Sequence, residues 1–310
     1  MPKLTVLMPV YNGEKFLKEA IESILNQTFE DFEFLIIDDK SQDGSKDIVL
    51  SFRDKRIRFI QNERNLGQTQ TLNKGVGYSL GQYIARIDQD DRALPQRFNK
   101  EINILDKFDE ISLVYSDSFI IDEEGKRRDK TLFDYVKPSR SFIFENLLRR
   151  NFITGNTALF RKNIFTEIGM YNSNYAIAAE YDVFLRLARA HKVDFIKEPL
   201  AEYRLHPANK SADTEKATQE IIAILINLDA DSLEKNQKKI LNKAISWHIA
   251  SLGIHYLSRG NRKLCKAKAK EALKADFFNA KAIIEIFLAT FFPQAFIDSL
   301  RSFKKGLRSI

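Results

Sequence analysis

Tyr83-Ile84-Ala85-Arg86-Ile87-Asp88-Gln89-Asp90-Asp91 is an apolar run of strand length that ends in three carboxylates within four residues. Each carboxylate raises the cost of ionising the next, so such a cluster at an ordered strand end calls for a hard divalent cation with oxygen ligands. A second acidic pair, Asp38-Asp39, ends another apolar run, Phe32-Glu33-Phe34-Leu35-Ile36-Ile37. Ligands of open α/β sheets bind outside the carboxyl ends of the strands, so two acidic strand ends would converge on one crevice. Carboxylates around such a crevice point to a metal-bridged phosphate ligand. A solvated acidic turn explains either pair taken singly, but the two together favour a site.

Outward from these runs, strand-length and helix-length patterns alternate. Strands read at 4–10, 32–38, 56–60, 83–88 and 112–116, with helices at 14–27, 43–52, 68–80 and 95–108 between them. This alternation predicts a doubly wound α/β sheet. In the first helix Phe16, Leu17, Ala20, Ile21, Ile24 and Leu25 form one apolar stripe, while Glu14, Lys18, Glu22 and Asn26 face water. Pro95 suits the first turn of the fourth helix, where a missing N–H costs nothing. Composition shifts near Pro207: six of seven prolines and nine of twelve glycines lie at or before it, and 208–292 contain no proline. The polar stretch 208–220 reads as a linker, followed by helical patterns near 217–229, 233–258, 261–275 and 279–292. The predicted organisation is a domain over 1–212 and an all-helical region over 213–310.

A chain of 310 residues with 44% hydrophobic content can bury an ordinary globular core. The single cysteine, Cys265, excludes an intramolecular disulfide and any multi-cysteine zinc site, and fits a reducing compartment. Met1-Pro2-Lys3-Leu4 runs straight into a strand pattern with no secretory leader, which predicts a cytoplasmic location. The net charge of +7 belongs to the C-terminal region: residues 1–212 hold 32 cations and 32 acids, residues 213–310 hold 17 and 10. A neutral α/β half argues against a nucleic-acid groove, while the basic region fits an anionic surface or a solvated lysine-rich helix face. Residues 282–297 are apolar, with Ile283, Ile284, Phe287, Leu288, Phe291 and Phe292 at helical spacing, and Arg301, Lys304, Lys305 and Arg308 follow. Glu285 and Pro293 interrupt the run, which falls short of the roughly 20 apolar residues of a spanning helix. It fits either packing on the α/β half or peripheral contact with the inner face of an anionic membrane.

The opening Val6-Leu7-Met8-Pro9-Val10-Tyr11-Asn12-Gly13-Glu14 is followed by Ser23-Ile24-Leu25-Asn26-Gln27-Thr28 and Ile36-Ile37-Asp38-Asp39-Lys40-Ser41-Gln42-Asp43-Gly44-Ser45. With Asn65-Leu66-Gly67, Leu72-Asn73-Lys74-Gly75 and Arg86-Ile87-Asp88-Gln89-Asp90-Asp91, the chain closely resembles the family 2 glycosyltransferases over residues 4–210. The resemblance is specific because the blocks stand in the right order at the right separations. It implies the glycosyltransferase A-type fold, a Rossmann-like mixed sheet, here with a C-terminal all-helical extension. It also implies an inverting, metal-dependent transfer of a sugar from a nucleotide-sugar donor, a UDP-sugar, to a glycan or lipid-linked acceptor of a cell-surface polysaccharide. On this resemblance Asp39, beside Asp38, accepts a hydrogen bond from the nucleotide base, and Pro9, Tyr11 and Glu14 line the base and ribose pocket. Asp88 and Asp90 form the Asp-x-Asp element, Asp88 near the ribose and metal and Asp90 on the metal, with Mn²⁺ or Mg²⁺ between the carboxylates and the diphosphate.

Inverting transfer needs a base to take the proton of the acceptor hydroxyl. The family places an acid in a Glu-Asp-aromatic-Asp-Leu block, and this chain has Ala178-Ala179-Glu180-Tyr181-Asp182-Val183-Phe184-Leu185-Arg186-Leu187. Glu180 takes the catalytic aspartate's place and Ala179 replaces the preceding acid; Asp182 is the fallback, pointing away from Glu180 on a helix. The plain alternative makes both of them surface helix charges. Tyr203-Arg204-Leu205-His206-Pro207 matches the block that closes the domain in relatives, so His206 is a candidate for the metal or diphosphate. Gly75 to Gly81 superficially suggests a dinucleotide loop, but its spacing is wrong and it lies in a helix pattern. A nucleotide-sugar-binding protein without turnover is the competing reading, kept open by Ala179. A nucleotidyltransferase would need a basic phosphate-gripping loop, and Tyr11-Asn12-Gly13-Glu14 supplies none.

Overall fold

A computed structural model describes residues 1–292. The chain forms two compact units, one of Met1–Leu147 with Asn151–Asn209 and one of Leu148–Arg150 with the chain from Lys210 onward. The first half of the first unit runs β1 (Leu4–Val10), α1 (Leu17–Leu25), β2 (Phe32–Asp38), α2 (Ser45–Ser51), β3 (Ile57–Gln61), α3 (Gln68–Tyr78) and β4 (Tyr83–Arg86). It continues through β5 (Arg92–Ala93), α4 (Arg97–Lys107), β6 (Ile111–Ile121), β7 (Arg127–Thr131), α5 (Phe144–Arg149), β8 (Leu159–Arg161), α6 (Ile164–Ile168), α7 (Ala179–Ala188) and β9 (Lys192–Arg204).

One nine-stranded sheet results, in the order β3-β2-β1-β4-β8-β6-β9-β5, with β7 hydrogen-bonded to β6. Every residue of β1, β2 and β4 is buried, as expected of central strands covered on both faces. The chain winds outward from β1 to β3 and then returns to the other side of β1 as β4, so strand direction of travel switches between β1 and β4. Crevices at such switch points are the ligand sites of open α/β sheets. Beyond β4 the sheet becomes mixed, because β8 runs antiparallel to both β4 and β6 while β6 and β9 pair in parallel. The core beneath the parallel strands joins Val6, Met8, Phe34 and Ile36 to Leu17, Ile21 and Ile24 of α1 and Phe98 and Ile102 of α4. Arg97 and Glu101 form a fully buried ion pair in α4, and Arg97 also donates to the backbone carbonyls of Arg86 and Ala158 at 3.3 and 3.4 Å.

Two local expectations need correction. Pro95 is not in the first turn of a helix: α4 begins at Arg97 with Gln96 as its cap, and the Pro95 carbonyl instead accepts from the backbone N–H and hydroxyl of Thr28. The polar stretch 208–220 is not all linker, since a helix starts at Thr214 and the Asp213 carboxylate accepts from Lys216 N at 3.0 Å. Its polarity is that of an exposed, capped first turn.

The second unit carries α8 (Thr214–Ile226), α9 (Lys235–Ser258), α10 (Arg262–Ala275) and α11 (Ala280–Phe291). Small side chains set its packing: Ala250, Ala269, Ala272 and Ala282 meet around Ile249, and Cys265 and Ala289 meet Leu257. Asn279 caps α11 through Ala282 N and donates to Ser246 Oγ, which donates to the Ala272 carbonyl, so one polar chain ties three helices. Among the described residues no helix is long and apolar enough to cross a membrane.

Glu285 of α11 is buried, and neither of its carboxylate oxygens has a hydrogen-bond partner. Burial pushes its carboxyl up to about 8 from 4.5, against the opposing charge of Lys281. A folded value above the unfolded one means that the native state holds the proton more tightly. The stability this group contributes is therefore full below about pH 4.5 and is lost as pH rises through about 8. Glu285→Met, close in volume, should unfold at a higher temperature than wild type at pH 9, and the gap should close toward pH 5 in a pH series of melting curves.

Candidate functional site

The carboxyl ends of β1, β2 and β4 lie side by side, with Val10 opposite Asp38 and Leu7 opposite Arg86. The two turns that leave β1 and β2 are zipped together. Asn12, at a φ of 50°, donates from its backbone to Ser41 Oγ, and Gln42 N donates to Asn12 Oδ1. Gly13 N donates to Ser45 Oγ, Glu14 N to Asp43 Oδ2, and Gly44 N to Glu14 Oε2. Gln89, the residue between the two aspartates of the acidic loop, brackets Tyr11: Tyr11 N donates to Oε1 at 2.8 Å and Nε2 donates to the Tyr11 carbonyl at 3.1 Å. A Cβ at Gly13 would come within 2.7 Å of that carboxamide, which explains the glycine. Pro9 is buried at the end of this framework, while Tyr11 and Glu14 are exposed.

Asp38 and Asp39 are both buried and both hold protein groups. Asp38 accepts from Ser41 and, at 2.7 Å, from Gln61 Nε2. Asp39 accepts from Asn62 Nδ2, Leu66 N and Gly67 N, each at 2.8 Å. Gly67 sits at a φ of 82°, which a side chain would strain. A carboxylate offers about four acceptor positions, so Asp39 organises the 62–67 loop and keeps about one position for a ligand.

Asp88, Asp90 and Asp91 each offer a carboxylate oxygen within 4.8 Å of the other two. Asp88 accepts from Arg86 Nη2 at 2.6 Å and from Gln68 Nε2 at 3.0 Å. Asp90 meets His206 Nε2 at 2.8 Å and Asn209 Nδ2 at 3.2 Å. Asp91 accepts from Arg204 N, but its buried Oδ2 has no hydrogen-bond partner. Burial, then the charges of Asp90 and Asp88, push the Asp91 carboxyl well above the ordinary carboxylate range. The donor set suits a hard divalent cation, with three carboxylates, an imidazole nearby and one buried oxygen lacking a partner. Arg204 locks the loop from the end of β9, donating to the Asp90 carbonyl and to Glu19 while lying 4.6 Å over the Phe16 ring.

Glu180 and Asp182 have different surroundings. Glu180, in the first turn of α7, pairs with the buried guanidinium of Arg86, which also holds Asp88. Burial raises the Glu180 carboxyl above its ordinary value, Arg86 opposes the rise and Asp88 adds to it. A Cβ at Gly155 would occupy the space of Glu180 Oε1 and Arg86 Nη1, so this glycine makes room for the pair. Asp182 instead binds Arg186 at 2.7 Å, and Arg186 donates on to the Met170 carbonyl. Sequence reasoning counted Asp91 in the acidic cluster without a role of its own, and assigned no role to Arg86, Gln89, Gly155 and Arg204. The available signal was Arg86 itself, a cation inside an apolar strand two residues before an acid.

The sequence model of the family described as Glycosyl transferase family 2 matches residues 5–169. An uncharacterized glycosyltransferase of Methanocaldococcus jannaschii is 36% identical over 214 residues, covering 66% of this chain and 71% of the relative. The structure of S. aureus TarS 1-349 in complex with UDP-GlcNAc superimposes with a TM-score of 0.64 at 17% identity, covering 88% of this chain and 81% of that one. A mannosyltransferase from Pyrobaculum calidifontis in complex with GDP-Man and Mn²⁺ superimposes with a TM-score of 0.60 at 15% identity, covering 97% and 84%. The fold is thus the glycosyltransferase A-type, as the motif resemblance led us to expect.

If the carboxylate cluster holds the cation, Mn²⁺ at a hundredfold excess over its dissociation constant should stabilise the wild-type chain by about 2.7 kcal/mol in thermal unfolding. Asp90→Ala should lose that shift; without metal the loss of its contacts to His206 and Asn209, about 1.5–3 kcal/mol each, is offset in part by relief of repulsion with Asp88 and Asp91. An unchanged shift in the variant would place the ion elsewhere.

Proposed function

We propose a function from one premise: the chain belongs to glycosyl transferase family 2. The reading is an inverting, metal-dependent transfer from a nucleotide-sugar donor, a UDP-sugar, to a glycan or lipid-linked acceptor of a cell-surface polysaccharide. The observation that carries it is Arg86, one buried cation shared by the acidic loop and by Glu180. It joins the candidate diphosphate site to the candidate base at a sheet switch point.

In this reading Asp39 receives the base with its remaining acceptor position, and Pro9, Tyr11, Glu14 and Asp38 frame the pocket around it. Asp88, Asp90 and Asp91, with His206 on Asp90, would hold Mn²⁺ or Mg²⁺. The ion, when bound, neutralises the diphosphate and stabilises the charge of the departing nucleoside diphosphate. Glu180 takes the proton of the acceptor hydroxyl as that oxygen attacks the anomeric carbon. Its raised carboxyl pKa brings its basicity closer to neutral pH, and Arg86 fixes its position. Binding of a nucleotide-sugar without turnover is the second reading, favoured by Ala179 where the family has an acid. Peripheral contact with an anionic membrane completes the first reading, since a lipid-linked acceptor would be met there.

Release of UDP from UDP-sugars, measured with Mn²⁺ and acceptor, separates transfer from binding alone. Glu180→Gln should keep nucleotide and Mn²⁺ binding and lose turnover by about 10²-fold or more. Arg86 retains Asp88 in this variant, so the fold should survive. Asp182→Asn should remain active; an inactive Asp182→Asn beside an active Glu180→Gln would move the base to Asp182.

A further inference from the structure

Helix α11 is apolar on both faces. Its covered side carries Ala282, Glu285 and Ala289, whereas Ile283, Ile284, Phe287 and Phe291 are each more than half exposed. These four fall on one helical stripe. Phe277 and Phe278, the latter 84% exposed, extend the apolar surface ahead of the helix. A helix that serves only its own unit turns large apolar side chains inward and its carboxylate outward. Here the alanines allow close approach to α9 and α10 with Ile286, Leu288 and Phe292 packed beside them, and a second set of bulky side chains, Ile283, Ile284, Phe287 and Phe291, is left for another phase.

The charges around the stripe indicate which phase. Between Phe277 and Phe292 the single acid is Glu285, which is buried, and the single cation is Lys281, which lies 4.4 Å from the half-exposed Trp247 ring. Helix α10, packed against α11, carries Arg262, Lys263, Lys266, Lys268, Lys270 and Lys274 against one acid, Glu271. In the sequence beyond the described residues, Phe296, Leu300, Phe303 and Leu307 recur every three or four positions, with Arg301, Lys304, Lys305 and Arg308 against the one acid, Asp298, among them. An apolar stripe whose one acid is buried, flanked by a helix with six cations and one acid, complements an anionic lipid surface. A second copy of the chain would instead bring two basic flanks together.

We propose that the α11 stripe lies in the headgroup layer of an anionic bilayer, with the basic flank against lipid phosphates. The twelve residues of α11 then run along the surface and do not cross it. This names the surface behind the membrane contact in the functional reading. Its test uses no sugar donor, so its failure is separable from failure of the transferase assignment.

The full-length chain is sedimented with phosphatidylcholine vesicles, with or without about one-third phosphatidylglycerol. We expect binding to the anionic vesicles only, weakening as salt rises. The double substitution Phe287→Ser and Phe291→Ser, both at exposed positions, should lower partitioning about tenfold or more with unchanged circular dichroism. Lys263→Gln with Lys270→Gln and Lys274→Gln should remove the preference for anionic lipid. A wild-type chain that stays in the supernatant, or binds neutral vesicles equally, overturns the proposal. So does a wild-type dimer in light scattering that the phenylalanine substitutions return to monomer, because the stripe then serves a second copy.

Discussion

Three carboxylates crowded at the end of β4 repel one another, and much of the first unit is arranged to offset that repulsion. Asp88 is held by Arg86, Asp90 by His206 and Asn209, and Asp91 by the backbone of Arg204. Three of these partner groups, Arg204, His206 and Asn209, lie at or just after the end of β9, more than 100 residues along the chain. Their arrival requires β9 to run the full length of β6, although Pro199 cannot donate to the ladder and the register shifts where it pairs with Asp117. Hydrogen bonds to charged groups contribute about 1.5–3 kcal/mol each, enough for a few of them to decide where a strand ends. Placement of the acids and completion of the sheet are thus one structural problem.

The same constraint separates what the sequence made legible from what it did not. The alternation of β1 through α4 could be read because each element is long, periodic and paired with near neighbours. The helices of the second unit could be read from their helical patterns, except that the start of α8 at Thr214, capped by Asp213, was read as linker. Strands β5, β7 and β8 could not, since they span two, five and three residues and exist only because distant strands pair with them. Glu180 was legible through its motif position, but its pairing with Arg86 was not, because no local pattern tells a strand cation to reach α7. The exposed apolar face of α11 was equally hidden: periodicity identifies an apolar stripe without saying which side is covered.

Small residues do much of the positioning. Gly155 leaves room for the Glu180–Arg86 pair, Gly13 for the Gln89 carboxamide, and Gly253 for the Glu285 carboxylate. In each case a glycine in one segment admits a polar side chain from another. Gln89 and Glu180 find partners in the space so left, in Tyr11 and Arg86, whereas neither carboxylate oxygen of Glu285 has one.

Asp39 has a thermodynamic consequence of a different sort. Three donors from the 62–67 loop hold its carboxylate before any ligand arrives. A side chain already immobilised loses no rotamer freedom on binding, so the ordering cost is incurred once, in folding, and does not weaken each encounter. The reverse also holds. If Asp39 receives the base as proposed, sequence changes in 62–67 that loosen those donors would return that entropy to the binding step, and would alter nucleotide affinity from a loop that holds the acceptor in place.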